Sequence, residues 1–126
     1  MRAAQSTDPA IKVIAMPKDA NSDGDIFGGW ILSMMDMAGG IAARKRAGTR
    51  VVTVAMDDVV FHKPVFVGDC VECHATVTKT GNTSISVHVE TYVERKLDGA
   101  RLKVTEGHFV FVAIGDDRQP VSVKKE

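Results

Sequence analysis

The stretch "NSDGDIFGGWILSMMDMAGG", Asn21 to Gly40, places one carboxylate, Asp36, in an apolar run with Met34, Met35 and Met37. An ionised group in such company is costly unless something pairs with it. Gly29 stands seven residues earlier, nearly two helical turns, so the two share a helix face with Ser33 and Gly40. At the helix entrance the N–H groups of Gly28 and Gly29 lack intrahelical acceptors and lie on the positive end of the dipole. Glycine lets a ligand come close to such donors. Fixed donors stabilise a carbonyl oxygen that becomes negative under attack, and a carboxylate on the same face can hold or deprotonate a water. That chemistry suits acyl transfer to water without a Ser or Cys nucleophile. A structural reading fits the same residues: Asp36 salt-bridged in a dimer interface, the glycines serving helix–sheet packing. Spacing leaves both open.

Other motifs carry less. "CVECH", Cys70 to His74, matches the C-x-x-C-H haem-attachment pattern. It lies in a period-two segment, where positions i and i+3 face opposite sides, so the sulfurs are not presented together. No second Cys pair or H-x-x-x-H follows to complete a zinc site. The expectation is two buried or half-buried thiols, an exposed His74, no metal and no cofactor. His62, His74, His88 and His108 are dispersed over different strands, with His88 and His108 able to approach across a sheet. No G-x-S-x-G elbow is present. The glycines of 24–29 are not followed by the Lys-Ser/Thr of a P-loop, and no parallel βαβ unit surrounds them.

The elements that must hold Asp36 follow from periodicity. Residues 29–46 lack alternation and proline, and end in Arg44-Lys45-Arg46 before Gly48, which predicts one long helix whose negative end these cations complement. Ile31, Met34, Met35, Ala38 and Ile41 are its expected core face. Its three glycines, Gly29, Gly39 and Gly40, weaken it alone, so it needs a sheet to lie on. Residues 18–27 form a turn-rich loop. Strands are expected at 11–16, 50–63, 70–80, 83–97 and 100–114, with turns at Gly81-Asn82 and Asp98-Gly99. This is an α+β protein, a helix on one face of a curled antiparallel sheet. Strands this apolar call for a partner subunit over part of the sheet, so an oligomer is expected. Residues 1–9 and the polar tail from Gly115 are expected to be poorly ordered.

The chain of 126 residues suits a single domain, 1–126. Lys plus Arg equals Asp plus Glu, so nothing global attracts nucleic acid or an anionic membrane. No apolar run reaches bilayer length and no signal peptide is visible, so a cytoplasmic location is expected, with reduced thiols.

Asn21–Gly40 closely resembles the active-site segment of hotdog-fold acyl-CoA thioesterases of the YciA type, which are related to the cytosolic acyl-CoA hydrolases of animals. The likeness extends into "RVVTVAMDDVVFHKPVFVGD" (50–69), "TKTGNTSISVHVETYV" (78–93) and "VTEGHFVFVAI" (104–114). The resemblance implies a hotdog, one long helix wrapped by an antiparallel sheet. It implies a homo-oligomer with the dimer as minimal unit, active sites at the interface and often a trimer of dimers. By motif position it makes Asp36 the catalytic carboxylate. Asn21 is then a polar partner from the other subunit, and Gly28 and Gly29 bear the amides that polarise the thioester carbonyl. It implies an acyl-CoA substrate, hydrolysed to the free acid and coenzyme A. "KTGNTSIS" matches a family stretch near the nucleotide, making Lys79, Thr83 and Ser84 candidate contacts; Lys63 and Lys103 are candidates for the phosphates. Relatives carry an Arg near Asn82, and this chain does not. Two other readings are a non-hydrolytic acyl-CoA-binding module and a hydroxyacyl-thioester dehydratase. The dehydratase is disfavoured because no His lies between Asn21 and Gly40. Trp30, Met34 and Met37 are expected at the pocket end.

Overall fold

The structure is a computed structural model and describes residues 8–95 and 99–125. β-Branched, alternating segments form β1 (Ile11–Ile14), β2 (Arg50–Phe61), β3 (Cys70–Thr80), β4 (Ser84–Glu94) and β5 (Arg101–Ile114). They pair antiparallel throughout, in the order β1-β3-β4-β5-β2, leaving β1 and β2 as the edges. The single helix expected from residues 29–46 is α1 (Gly28–Ala47), laid on one face of that sheet. It stops at Gly48, whose φ of 73° is a left-handed cap and whose N–H donates to the Arg44 carbonyl at 2.9 Å. Among the described residues no helix is long and apolar enough to cross a membrane.

The core lies between α1 and the sheet. Ile31, Met35, Ala38 and Ala43 are buried with Val87, Val89, Phe109 and Phe111. The approach is close at Gly39, where an added Cβ would lie 3.0 Å from the Phe111 ring. Gly39 is therefore needed for packing, which outweighs its cost to the isolated helix. Ile41 departs from expectation: it is 42% exposed, because the sheet does not curl far enough to cover that side of the helix. The tail is irregular, as its composition suggests, yet it is packed. Val121 and Val123 donate backbone bonds to Ala113 and Asn82, and Val123 joins the core.

His74 was expected at the surface and is largely covered, because Glu72 bonds its Nε2 at 3.1 Å and Tyr92 meets its ring edge-on. Cys70 is half-buried and Cys73 buried, both as free thiols. Burial pushes the Cys73 thiol up, against a lowering bond with Thr91. Of the expected Asp98-Gly99 turn, Gly99 has a φ of 79°, while Asp98 lies outside the described residues. Lys96, Leu97 and residues 1–7 also lie outside them.

Candidate active site

The loop before α1 is built by asparagine chemistry. Asn21 Oδ1 accepts the backbone N–H groups of Asp23 at 2.9 Å and Asp25 at 3.1 Å, an Asx turn that fixes the side chain. An Ala20–Ile26 bridge then folds the loop back onto the entrance of α1. The Asn21 side-chain N–H₂ has no acceptor among the described residues and remains an available donor. The loop is braced from behind. Ile26 N–H donates to the Val65 carbonyl, and the 64–69 loop is clamped by Arg95, which grips buried Asp69 through two bonds of 3.0 and 2.9 Å.

Gly28 and Gly29 open the helix, their N–H groups unused by it. Gly29 is exposed and open on its Cβ side, whereas the Phe61 ring lies against Gly28, 3.3 Å from where a Cβ would stand. One of the two glycines is thus open to a ligand, and the other carries an aromatic wall from the end of β2.

Asp36 is half-buried on α1, and its Oδ1 accepts a 2.6 Å hydrogen bond from the Thr53 hydroxyl of β2. No cation pairs with Asp36 among the described residues, and its second oxygen has no partner there. Thr53 was missed by sequence reasoning. Nothing in the run of β2 marks one threonine as facing a helix residue seventeen positions away. Asp36 and Gly28 lie eight residues apart on α1, so about 12 Å separates them along the axis.

The other candidates fall in three places. Lys79, Thr83 and Ser84 surround the β3–β4 hairpin, at the sheet end that also holds Arg50 and Ile114. Lys63 is exposed at the opposite end, beyond Phe61, roughly 35 Å away by strand length. Lys103 is on the sheet face turned away from α1, where its Nζ bonds Glu90 at 2.8 Å and Glu106 at 3.0 Å. The same face carries His62, bonded to Glu106 at 2.7 Å, and the cross-strand pair His88 and His108. The Lys103 bond holds the Glu90 carboxyl below its usual range, and His62 and then Lys103 do the same for Glu106. His88, Glu90 and Glu106 present donor atoms within 4.8 Å of one another, and the Lys103 ammonium already bonds both carboxylates.

A model of the thioesterase superfamily matches residues 23–100, more than half of the chain. The acyl-CoA thioester hydrolase YciA of Salmonella typhimurium is 45% identical over 113 residues, covering 87% of this chain and 85% of its own. A hexameric hotdog-fold thioesterase of Campylobacter jejuni superposes with a TM-score of 0.88 at 44% identity, covering 93% of this chain and 90% of that one. The acyl-CoA hydrolase of Staphylococcus aureus, solved with butyryl coenzyme A and coenzyme A, superposes with a TM-score of 0.85 at 30% identity, covering 90% of this chain and 69% of that one. That hydrolase has also been solved as two variants, one with an asparagine and one with an aspartate replaced by alanine. Identity of this level over nearly the whole chain decides the family: the chain belongs to the hotdog-fold acyl-CoA thioester hydrolases of the thioesterase superfamily.

Proposed function

We propose that the protein hydrolyses acyl-CoA thioesters with Asp36 as the reacting carboxylate, at a site completed by a second copy of the chain. The observation that carries this is the 2.6 Å bond from Thr53 to an Asp36 that has no cation beside it. Asp69, which braces the loop, is paired with Arg95. Asp36 is instead oriented by a neutral hydroxyl, and its other oxygen has no partner among the described residues.

Geometry supports the shared site. Reacting atoms must come within roughly 3–3.5 Å, so one thioester does not reach both Asp36 and the Gly28 amide of the same chain. β2 is an edge strand whose Val54, Met56, Val60 and Phe61 are 45–56% exposed, an apolar edge that demands a cover. Two copies joined antiparallel along β2 by a two-fold axis near its middle set Thr53 of one against the Phe61 end of the other. Asp36 then faces the partner's helix entrance, with its Gly28 and Gly29 amides and the free donor of its Asn21. The same operation brings the Lys79–Ser84 hairpin of one copy toward the Lys63 end of its partner, where both serve coenzyme A. The alanine-substituted asparagine and aspartate of the S. aureus hydrolase stand fifteen residues apart, the spacing of Asn21 and Asp36 here. Hexamers among the solved relatives fit three such dimers.

In the reaction the amides stabilise the negative charge that develops on the thioester oxygen. Asp36 either takes a proton from water as it attacks or attacks the carbonyl itself to give an anhydride that water then opens. In both, a C–O bond replaces the C–S bond, and the thiolate leaves and is protonated as free coenzyme A. The test is thiol release across short, medium and long acyl-CoAs. Asp36→Asn should lower kcat at least a hundred-fold; near-full turnover by the variant would refute the assignment. Tight coenzyme A binding by the wild type without thiol release would select the non-hydrolytic module instead.

A further inference from the structure

Arg95 stands just past the end of β4 and has no part in the chemistry proposed above. Its guanidinium nevertheless makes three bonds to the 64–69 loop. Nε donates to Asp69 Oδ1 at 3.0 Å, and Nη2 donates to Asp69 Oδ2 at 2.9 Å and to the Pro64 carbonyl at 3.0 Å. It also lies over the Phe66 ring, 4.6 Å from the centroid. An ion pair of exposed groups holds little, but Asp69 is only 2% exposed and the fork grips both its oxygens. From Asp69 the contacts continue without a gap. Its Oδ2 accepts the Phe66 N–H at 2.9 Å, Phe66 is bridged antiparallel to Asp25, and the Ile26 N–H donates to the Val65 carbonyl at 2.9 Å. Asp25 then donates its N–H to Asn21 Oδ1 at 3.1 Å, and its carbonyl accepts the Asn21 N–H at 2.7 Å. The Asn21 amide is thus oriented by backbone that Arg95 holds from behind.

We infer that Arg95 is a positioning residue for the reaction: through Asp69, Phe66 and Asp25 it sets the Asn21 side chain that one copy presents to the partner's Asp36. The inference rests on the shared site proposed above. Without the guanidinium, Asp69 keeps the Phe66 N–H and becomes a buried carboxylate with no cation. Such a charge is costly, and the 64–69 loop relieves the cost by opening its carboxylate to water. The Asp25–Phe66 bridge then loses its fixed side, and the Asn21 donor its single orientation. The disturbance belongs to the chain that carries Arg95, but the rate lost is that of the site built on the other chain's Asp36. A clamp that served the fold alone would have no such direction, because it would weaken every site its chain shares.

The test is subunit mixing, read as thiol release from the fastest-cleaved member of a butyryl-, octanoyl- and palmitoyl-CoA panel. Arg95→Ala alone should lower kcat about ten-fold, as misplaced groups do; a kcat within two-fold of wild type overturns the inference. Arg95→Ala chains unfolded and refolded with Asp36→Ala chains form mixed dimers in which an intact Asp36 meets an intact loop. That mixture should regain about a quarter of wild-type activity. Refolded with Asn21→Ala chains instead, Arg95→Ala makes no whole site, and activity should stay at or below that of Arg95→Ala alone. No gain from Asp36→Ala chains, or a gain from Asn21→Ala chains, overturns the inference: the arginine then serves the fold at large or its own chain's Asp36. Arg95→Gln with Asp69→Asn removes both charges and leaves no buried carboxylate. It replaces Arg95→Ala if that variant melts too low, and should show the same pattern. Mixing Asp36→Ala with Asn21→Ala is the control. If that pair regains activity, the shared site stands whatever Arg95 does; if it does not, the shared site fails and this inference with it.

Discussion

Thr53 and Asp36 meet between strand and helix, and the proposed chemistry rests on that contact. One hydroxyl bonding one carboxylate oxygen leaves the other free, so the carboxylate is held in a single orientation without the charge neutralisation an arginine would bring. Removing the hydroxyl should cost the orientation while leaving the fold. Thr53→Val is expected to lower kcat about 10- to 100-fold, the range for a hydrogen bond to a charged group. KM should change little, and Thr53→Ser should restore most of the rate. A value for Thr53→Val within two-fold of wild type in steady-state kinetics would show that Thr53 does not position Asp36. Helix spacing singled out Asp36 and the two glycines, but as groups of one chain's site. The roughly 12 Å between them along α1 is what turns the proposal toward a partner's glycines. Thr53 was not singled out, because its partnership runs between a helix and an edge strand.

Among elements, the contact of α1 with the sheet is tightest at Gly39. Alanine there gains about 1 kcal/mol in helix propensity, but its Cβ would press on the buried Phe111 ring at 3.0 Å. Overpacking typically costs 1–3 kcal/mol, so Gly39→Ala should destabilise by about 1 kcal/mol in urea unfolding. The outer face of the sheet has a different logic, that of charge. Lys103 and His62 hold Glu90 and Glu106 ionised below the usual glutamate range. Their stabilisation is complete above the unfolded glutamate value and is lost as pH falls through the lowered folded values. The Lys103 ammonium is held above the ordinary lysine range by the same carboxylates, so its share persists in neutral solution and is lost only in strong alkali. Lys103→Met should therefore lower the melting temperature near neutrality. Below about pH 4.3, where unfolded glutamate protonates, the variant should lose less stability than wild type. Parallel melting curves from pH 7 to 3 decide the matter.

At the scale of the whole molecule, the proposed dimer accounts together for the open edge of β2 and the distance between Asp36 and the helix entrance. If each site draws Asp36 from one chain and Asn21 from another, two inactive variants should repair each other. Asp36→Ala and Asn21→Ala subunits, unfolded together and refolded as a mixture, form heterodimers with one intact site and one doubly altered site. The mixture should regain about a quarter of wild-type activity, since half the dimers are mixed and half of their sites are whole. Activity no higher than that of the separate variants would place both residues in one chain's own site. Phe61→Glu, which puts a charge on the same edge, should lower the assembled mass in light scattering and the activity together.

The sequence by itself determined the elements and their order, because helix and strand periods, proline stops and glycine turns are local properties of the chain. Helix spacing singled out Gly28, Gly29 and Asp36 without deciding between a catalytic and a structural role, and Asn21 entered only through the resemblance of its segment to the family. Only the tertiary structure decided which side of α1 stays uncovered, that His74 is packed rather than exposed, that Lys103 is bonded by two carboxylates, and that Thr53 reaches Asp36. Each of these depends on how far the sheet curls and which strand lies at its edge. Those outcomes are set by pairing between residues tens of positions apart, which no local pattern records.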